Sequence, residues 1–116
     1  MVHPAHANEV RSFVDTQLTF FGHTHVQGGF LLTHSGSTII PPHVPLQLEP
    51  DHFYLVNPGS VGQPRDRDPR AAYLVYDPEK KLVEFRRVSY DIETAGRKIL
   101  EAGLPTSLAA RLQDGR

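Results

Sequence analysis

The chain has no cysteine, no tryptophan and a single methionine. Without cysteine, neither a disulfide framework nor a thiolate metal site can form, and the composition suits a reducing compartment. Charge of one sign is also missing. A formal net charge of -1 offers no general attraction for nucleic acid or an anionic membrane. No apolar run approaches the roughly 20 residues that span a bilayer, and the opening stretch MVHPAHANEV has no apolar signal-peptide core. A cytoplasmic protein is therefore expected. What remains is 116 residues, 39% hydrophobic and 22% charged, with seven histidines and ten prolines as mild excesses. That length closes one hydrophobic core, so residues 1–116 are expected to form a single domain.

Hydrophobic spacing gives the order of elements. Val10, Phe13 and Val14 fall at i, i+3 and i+4, which predicts an amphipathic first helix with Pro4 near its start. Leu18 to Phe21 is an almost unbroken apolar run ended by Gly22, the pattern of a strand buried on both faces. From Gly29 to Tyr90 the reading is mostly β. FLLTHSGSTII gives two strands around Ser35-Gly36, and the proline-rich PPHVPLQLEP gives a loop or edge segment. FYLV is a strand leading into a long turn-rich loop, and AAYLVYDPEKKLVEFRRV is a hairpin. At the end, Asp91 caps a helix carrying Ile92, Ala95, Ile99 and Ala102 on one face. Gly103 and Pro105 stop that helix, and Leu108 and Leu112 mark another. The expected class is α/β, layered α+β, built around one mixed, mostly antiparallel sheet with flanking helices.

FFGHTHVQGG sets His23 and His25 in the loop that leaves the first strand. Ligand sites collect at the carboxyl ends of strands, and neutral imidazole suits Mn, Fe, Zn or Ni. Gly22 would let the backbone turn sharply there, and Thr24 would stiffen the loop. H-x-H alone is a short motif, and two exposed loop histidines are an equally good reading. A cupin would place a carboxylate just after the pair, but none follows His25 until Glu49.

A second stretch, NPGSVGQPRD from Asn57 to Asp66, follows the strand FYLV about thirty residues after the histidines. Together, GHTH, NPGSVGQPRDRDPRAAY and the tail RRVSYDIETAGRKILEAGLP resemble the C-terminal half of the calcineurin-like metallophosphoesterases. The small prokaryotic phosphodiesterase-like branch is the nearest likeness, from about Phe13 to the C-terminus. The resemblance implies half of a four-layer αββα sandwich, so residues 1–116 would form the C-terminal part of a phosphoesterase domain. It implies a phosphoester hydrolase with two divalent ions, His23 on one and His25 on the other, and a metal-bridging hydroxide as nucleophile, so no side chain is assigned as catalytic. The second loop would lie beside the site. Asn57 would cap a turn, Gly59 and Gly62 would adopt unusual dihedrals, Ser60 would contribute to an anion nest, and Arg65 would reach a phosphate.

The family's earlier motifs, Asp-x-His, Gly-Asp-x-x-Asp and Gly-Asn-His-Asp/Glu, have no counterpart in the residues before His23. The penultimate histidine of the pattern is not carried over to His3, because Pro4 stands where the family has glycine. Two imidazoles without a carboxylate should bind metal weakly, so the chain by itself is expected to be inactive. The alternative is a non-catalytic binding or assembly module that keeps half of the fold. Self-association through an exposed sheet face is expected. His6, His34, His43 and His52 have no partner pattern. Arg65, Arg67 and Arg70 alternating with Asp66 and Asp68 read as a solvated turn, and Tyr54, Tyr73, Tyr76 and Phe85 as core.

Overall fold

The computed structural model describes residues 3–116. Helix α1, Pro4–Val10, starts with proline at its first position, where no N–H is needed, and His3 Nδ1 accepts from the Ala5 N–H at 3.2 Å. A 3-10 turn, Arg11–Phe13, ends it. This bend breaks the spacing expected to bury Phe13. Ala7, Val10 and Val14 pack inward, while Phe13 is 84% exposed.

Seven strands follow: β1 Leu18–Phe20, β2 Gly28–Thr33, β3 Gly36–Ile40, β4 Leu46–Gln47, β5 Phe53–Asn57, β6 Ala71–Asp77 and β7 Leu82–Val88. They form two sheets rather than the single sheet expected. The first runs β1-β5-β2-β3, with β1 parallel to β5 and the other pairs antiparallel. The second runs β4-β7-β6 and is wholly antiparallel. The mixed α/β class stands; the division into two sheets reflects long-range pairing that local periodicity does not carry.

Side-chain alternation explains the layering. On β5, Leu55 joins Ala7, Phe30 and Leu32 beneath α1, with Phe53 packed beside them. Tyr54, on the opposite face, joins Ile40, Leu48 and Val83 between the sheets. The strands covered on both faces are therefore β5 and β2, and their apolar runs FYLV and FLL fit that position. The strand β1 is instead an edge, with Phe20 52% exposed. Tyr76 and Phe85 pack into the inter-sheet core, but Tyr73 stays exposed.

Helices α2, Ile92–Glu101, and α3, Thr106–Asp114, complete the chain. Asp91 accepts from the Thr94 N–H at 3.0 Å, and Gly103 takes φ 74° just beyond α2. The two helices pack on each other, and the Arg67 N–H donates to the Gly115 carbonyl at 2.9 Å. The result is elongated. The radius of gyration is 16.1 Å, against about 13 Å for a compact domain of this length.

Candidate metal centre

The histidine pair lies where expected, in the loop leaving the carboxyl end of β1. The sharp turn, however, is not made by Gly22. Positive φ falls on the histidines themselves, 77° at His23 and 60° at His25. The Thr24 N–H donates to the Gly22 carbonyl at 3.0 Å, so His23 sits at the centre of a γ-turn of the rarer, strained hand. Side chains seldom adopt this backbone, and it persists where surrounding contacts over-determine it.

Those contacts come from the loop after β5. Asn57 is 1% exposed; its Nδ2 donates to Thr24 Oγ1 at 3.0 Å, and its Oδ1 accepts from the Gly59 N–H at 2.9 Å. One buried amide thus makes a turn in its own loop and ties it to the residue between the histidines. Gly59 has φ 85°, and a β-carbon there would meet Ala72 Cβ at 2.6 Å. Gly62 shows no such φ and has open space around it, so the expectation for that glycine fails. Ser60 Oγ accepts from the Gln63 N–H at 2.9 Å. The Arg65 N–H donates to the His25 carbonyl at 3.1 Å, and its exposed guanidinium donates to Gln63 Oε1 at 2.9 Å.

The imidazole of His25 is itself held. Its Nδ1 lies 2.8 Å from the Gln63 carbonyl. A carbonyl can only accept, so Nδ1 carries the proton and a neutral ring keeps its lone pair on Nε2. His23 is exposed and has no such tether among the described residues.

Three residues to which sequence patterns assign no role in the site complete the surroundings. Gln27 is 6% exposed, and its Nε2 faces the carbonyls of Pro58 at 3.2 Å, Tyr73 at 2.9 Å and Arg86 at 3.1 Å. Asp66, expected on a solvated turn, is largely buried and forms an ion pair with Arg87 of β7. The opposite charge arrives from 21 residues further on, which a local charge pattern cannot reveal. Asp68 does pair within the loop. The Arg70 guanidinium holds its carboxyl down to about 2, from an ordinary 3.8.

A polar cleft of about 430 Å³ is lined by Gln27, His43, Asp66, Asp68, Arg70 and Arg87, among others. A more apolar groove of about 410 Å³ runs past Phe21, Thr24, Val26, Phe30, Ile39 and His43. Both flank the histidine loop, and neither is lined by His23 or His25.

No family model matches the chain. Over 118 aligned residues it is 39% identical to the uncharacterized protein MJ0912 of Methanocaldococcus jannaschii, covering 97% of this chain and 44% of that protein. The crystal structure of a metallophosphoesterase from Sphaerobacter thermophilus superposes with a TM-score of 0.86 at 34% identity, over 100% of this chain and 50% of that one. The chain has the fold of the C-terminal half of a metallophosphoesterase. It spans about half the length of the relatives it matches.

A divalent ion needs several donors with free lone pairs. His25 fits: its tautomer is fixed and Nε2 has a lone pair. Yet no three or more His, Asp or Glu side chains come together as a ligand group among the described residues. Each imidazole can offer a single nitrogen donor, and among the described residues the two complete no coordination sphere. No helix among the described residues is long and apolar enough to cross a membrane.

Proposed function

We propose that this chain is the histidine-bearing part of a cytoplasmic, metal-dependent phosphoester hydrolase, with His23 and His25 each ligating one of two divalent ions. The observation that carries the proposal is the His25 Nδ1 contact with the Gln63 carbonyl at 2.8 Å, which leaves Nε2 as a ligand atom in the loop after β1. Divalent ions would supply acidified water and stabilisation of charge on the phosphoryl oxygens. The chain's own part is to hold the imidazoles still. Asn57, Gly59 and Ser60 shape the neighbouring loop, and Arg65, exposed at its end, is the side chain available to a phosphate oxygen.

Two neutral imidazoles bring no negative charge to balance two dications, so this chain alone binds metal weakly and hydrolyses little. Mn, Fe, Zn and Ni all suit such nitrogen donors. The lack of a third ligand among the described residues favours one other reading, a non-catalytic module that keeps the fold. Metal analysis and hydrolysis of bis(4-nitrophenyl) phosphate with added Mn²⁺ separate the two. In a longer form containing the rest of the fold, activity should appear, and His23→Ala and His25→Ala should each abolish it. Near-normal turnover in either variant would refute the ligand assignment, and a longer form that takes up no metal would establish the module.

A further inference from the structure

Gln27, Asp66 and Arg87 form a closed ring of hydrogen bonds between the residue that enters β2, the loop after β5 and strand β7. The Gln27 N–H donates to Asp66 Oδ2 at 3.2 Å, Arg87 Nη2 donates to the same oxygen, and Arg87 Nε donates to Gln27 Oε1 at 3.1 Å. None of the three is a proposed ligand. We infer that this ring positions the His25 imidazole, and that Arg87, a residue of the opposite sheet, acts as a positioning residue for the ligand atom. The inference rests on the reading of His25 as a metal ligand.

Chain geometry links the ring to the imidazole from both sides. Gln27 stands two residues beyond His25, so its N–H bond to Asp66 fixes the exit of the strained loop. Asp66 directly follows Arg65, whose N–H donates to the His25 carbonyl, and lies three residues beyond Gln63, whose carbonyl takes the Nδ1 proton. The two segments, 25–27 and 63–66, are therefore joined three times, and the Asp66 carboxylate makes the one junction that carries charge. Its Oδ1 is buried without a partner among the described residues. A carboxylate in that state stays in place only while Arg87 neutralises it.

Arg87 bonds Asp66 through Nη2, and its other two nitrogens are also engaged. Besides the bonds to Gln27 and Asp66, its Nη1 donates to the carbonyls of Asp68 at 3.3 Å and Arg70 at 3.1 Å. A planar guanidinium can serve four acceptors set around it, whereas a lysine ammonium has three donors about one point. Arg87→Lys keeps the charge and most of the stem but cannot keep the ring closed. Asp66 then moves toward water, the 63–66 segment follows, and the Gln63 carbonyl no longer selects the Nδ1–H form.

The test follows the histidine ring nitrogens by long-range ¹H–¹⁵N correlation at about pH 8, where an unperturbed imidazole is neutral, with His25→Ala assigning the signals. The chain should show His25 as the Nδ1–H tautomer. Arg87→Lys, with a cooperative melt retained, should show it as a mixture, while His34, in the turn between β2 and β3, does not change. Co²⁺ titrated against the same signals should need at least about tenfold more ion to half-saturate the variant. A merely structural clasp would lower the melting temperature and leave the tautomer alone. An unchanged tautomer in folded Arg87→Lys overturns the inference, whatever the ion does. If even a large excess of Co²⁺ leaves the His25 signals unmoved while the tautomer still responds, the ligand reading falls and the positioning role stands. If Arg87→Lys does not fold, Asp66→Asn, which keeps the shape and removes the charge, takes its place: a tautomer mixture supports the positioning role, and an unchanged tautomer overturns it.

Discussion

Replacing Gln27 by leucine preserves most of the side-chain volume and removes every polar contact of the side chain, while the backbone N–H bond to Asp66 remains available. Four partners are affected: the carbonyls of Pro58, Tyr73 and Arg86, and the Nε–H of Arg87. Each lost hydrogen bond costs about 0.5–1.5 kcal/mol net, and more where the abandoned group stays buried. Tyr73 and Arg86 are register partners in the β6–β7 ladder, so the heaviest loss falls on Pro58 and Arg87. Leucine returns about 1–2 kcal/mol of apolar burial. The expected net loss is about 2–4 kcal/mol, a large share of the roughly 6–17 kcal/mol typical of a chain this long. Gln47 is the internal control. Its Nε2 also donates to two carbonyls, of Lys80 at 2.8 Å and Lys81 at 3.0 Å, but on an exposed edge. Gln47→Leu should cost about 0.5 kcal/mol or less, because water replaces what it loses. Urea denaturation with linear extrapolation measures both, the slopes being expected to match the parent. Equal losses for the two variants would refute the claim that burial of the Gln27 amide is what matters.

Two further outcomes follow from the loops. Gly59→Ala places a β-carbon 2.6 Å from Ala72 Cβ at φ 85° and should lower stability by about 1–3 kcal/mol, whereas Gly62→Ala, with open space, should change the thermal midpoint hardly at all. The Asp68 carboxyl is held at about 2, below its ordinary 3.8. A depressed carboxyl stabilises the fold above its unfolded value and loses that contribution as pH falls through the folded one. Thermal melts of the parent should thus show a decline between about pH 4 and pH 2 that Asp68→Asn lacks, and that salt weakens, since Arg70 is exposed. An identical acid decline in the variant would assign the effect to other groups.

Much of this molecule is legible from the chain alone, and what is hidden has a physical pattern. The β2–β3 and β6–β7 hairpins, the Asp91 cap and the Gly103 stop are local, set by turn chemistry and side-chain alternation. GHTH and NPGSVGQPRD also mark the two loops that meet, because each is contiguous. Distant pairing is invisible to such patterns. LTFF reads like a covered strand, but β1 has only β5 beside it, and Phe20 meets water. Asp66 looks solvated among alternating charges until Arg87 is brought to it. Gln27 offers a single clue: a lone uncharged amide at the mouth of an apolar strand, followed at once by two glycines. The second of these lies so close to β5 that a β-carbon would stand 2.2 Å from the Leu55 carbonyl oxygen.

The reach of the Gln27 contacts also bears on the order of folding. They join residue 27 to residues 58, 66, 73, 86 and 87, separations of up to 60 positions. The histidine loop precedes β6 and β7, and although Asn57, Gln63 and Arg65 already hold it, the restraints through Gln27 exist only after the β6–β7 hairpin has been made and docked. Contacts that distant form late, because the closure entropy of the intervening chain is met before they contribute. The Gln27 N–H, bonded to the Asp66 carboxylate that Arg87 holds, should accordingly gain its hydrogen-exchange protection in the last phase of refolding, together with β7. A chain stopped after β6 would carry the whole histidine motif and its Asn57 and Gln63 contacts, but would lack the Arg87 closure.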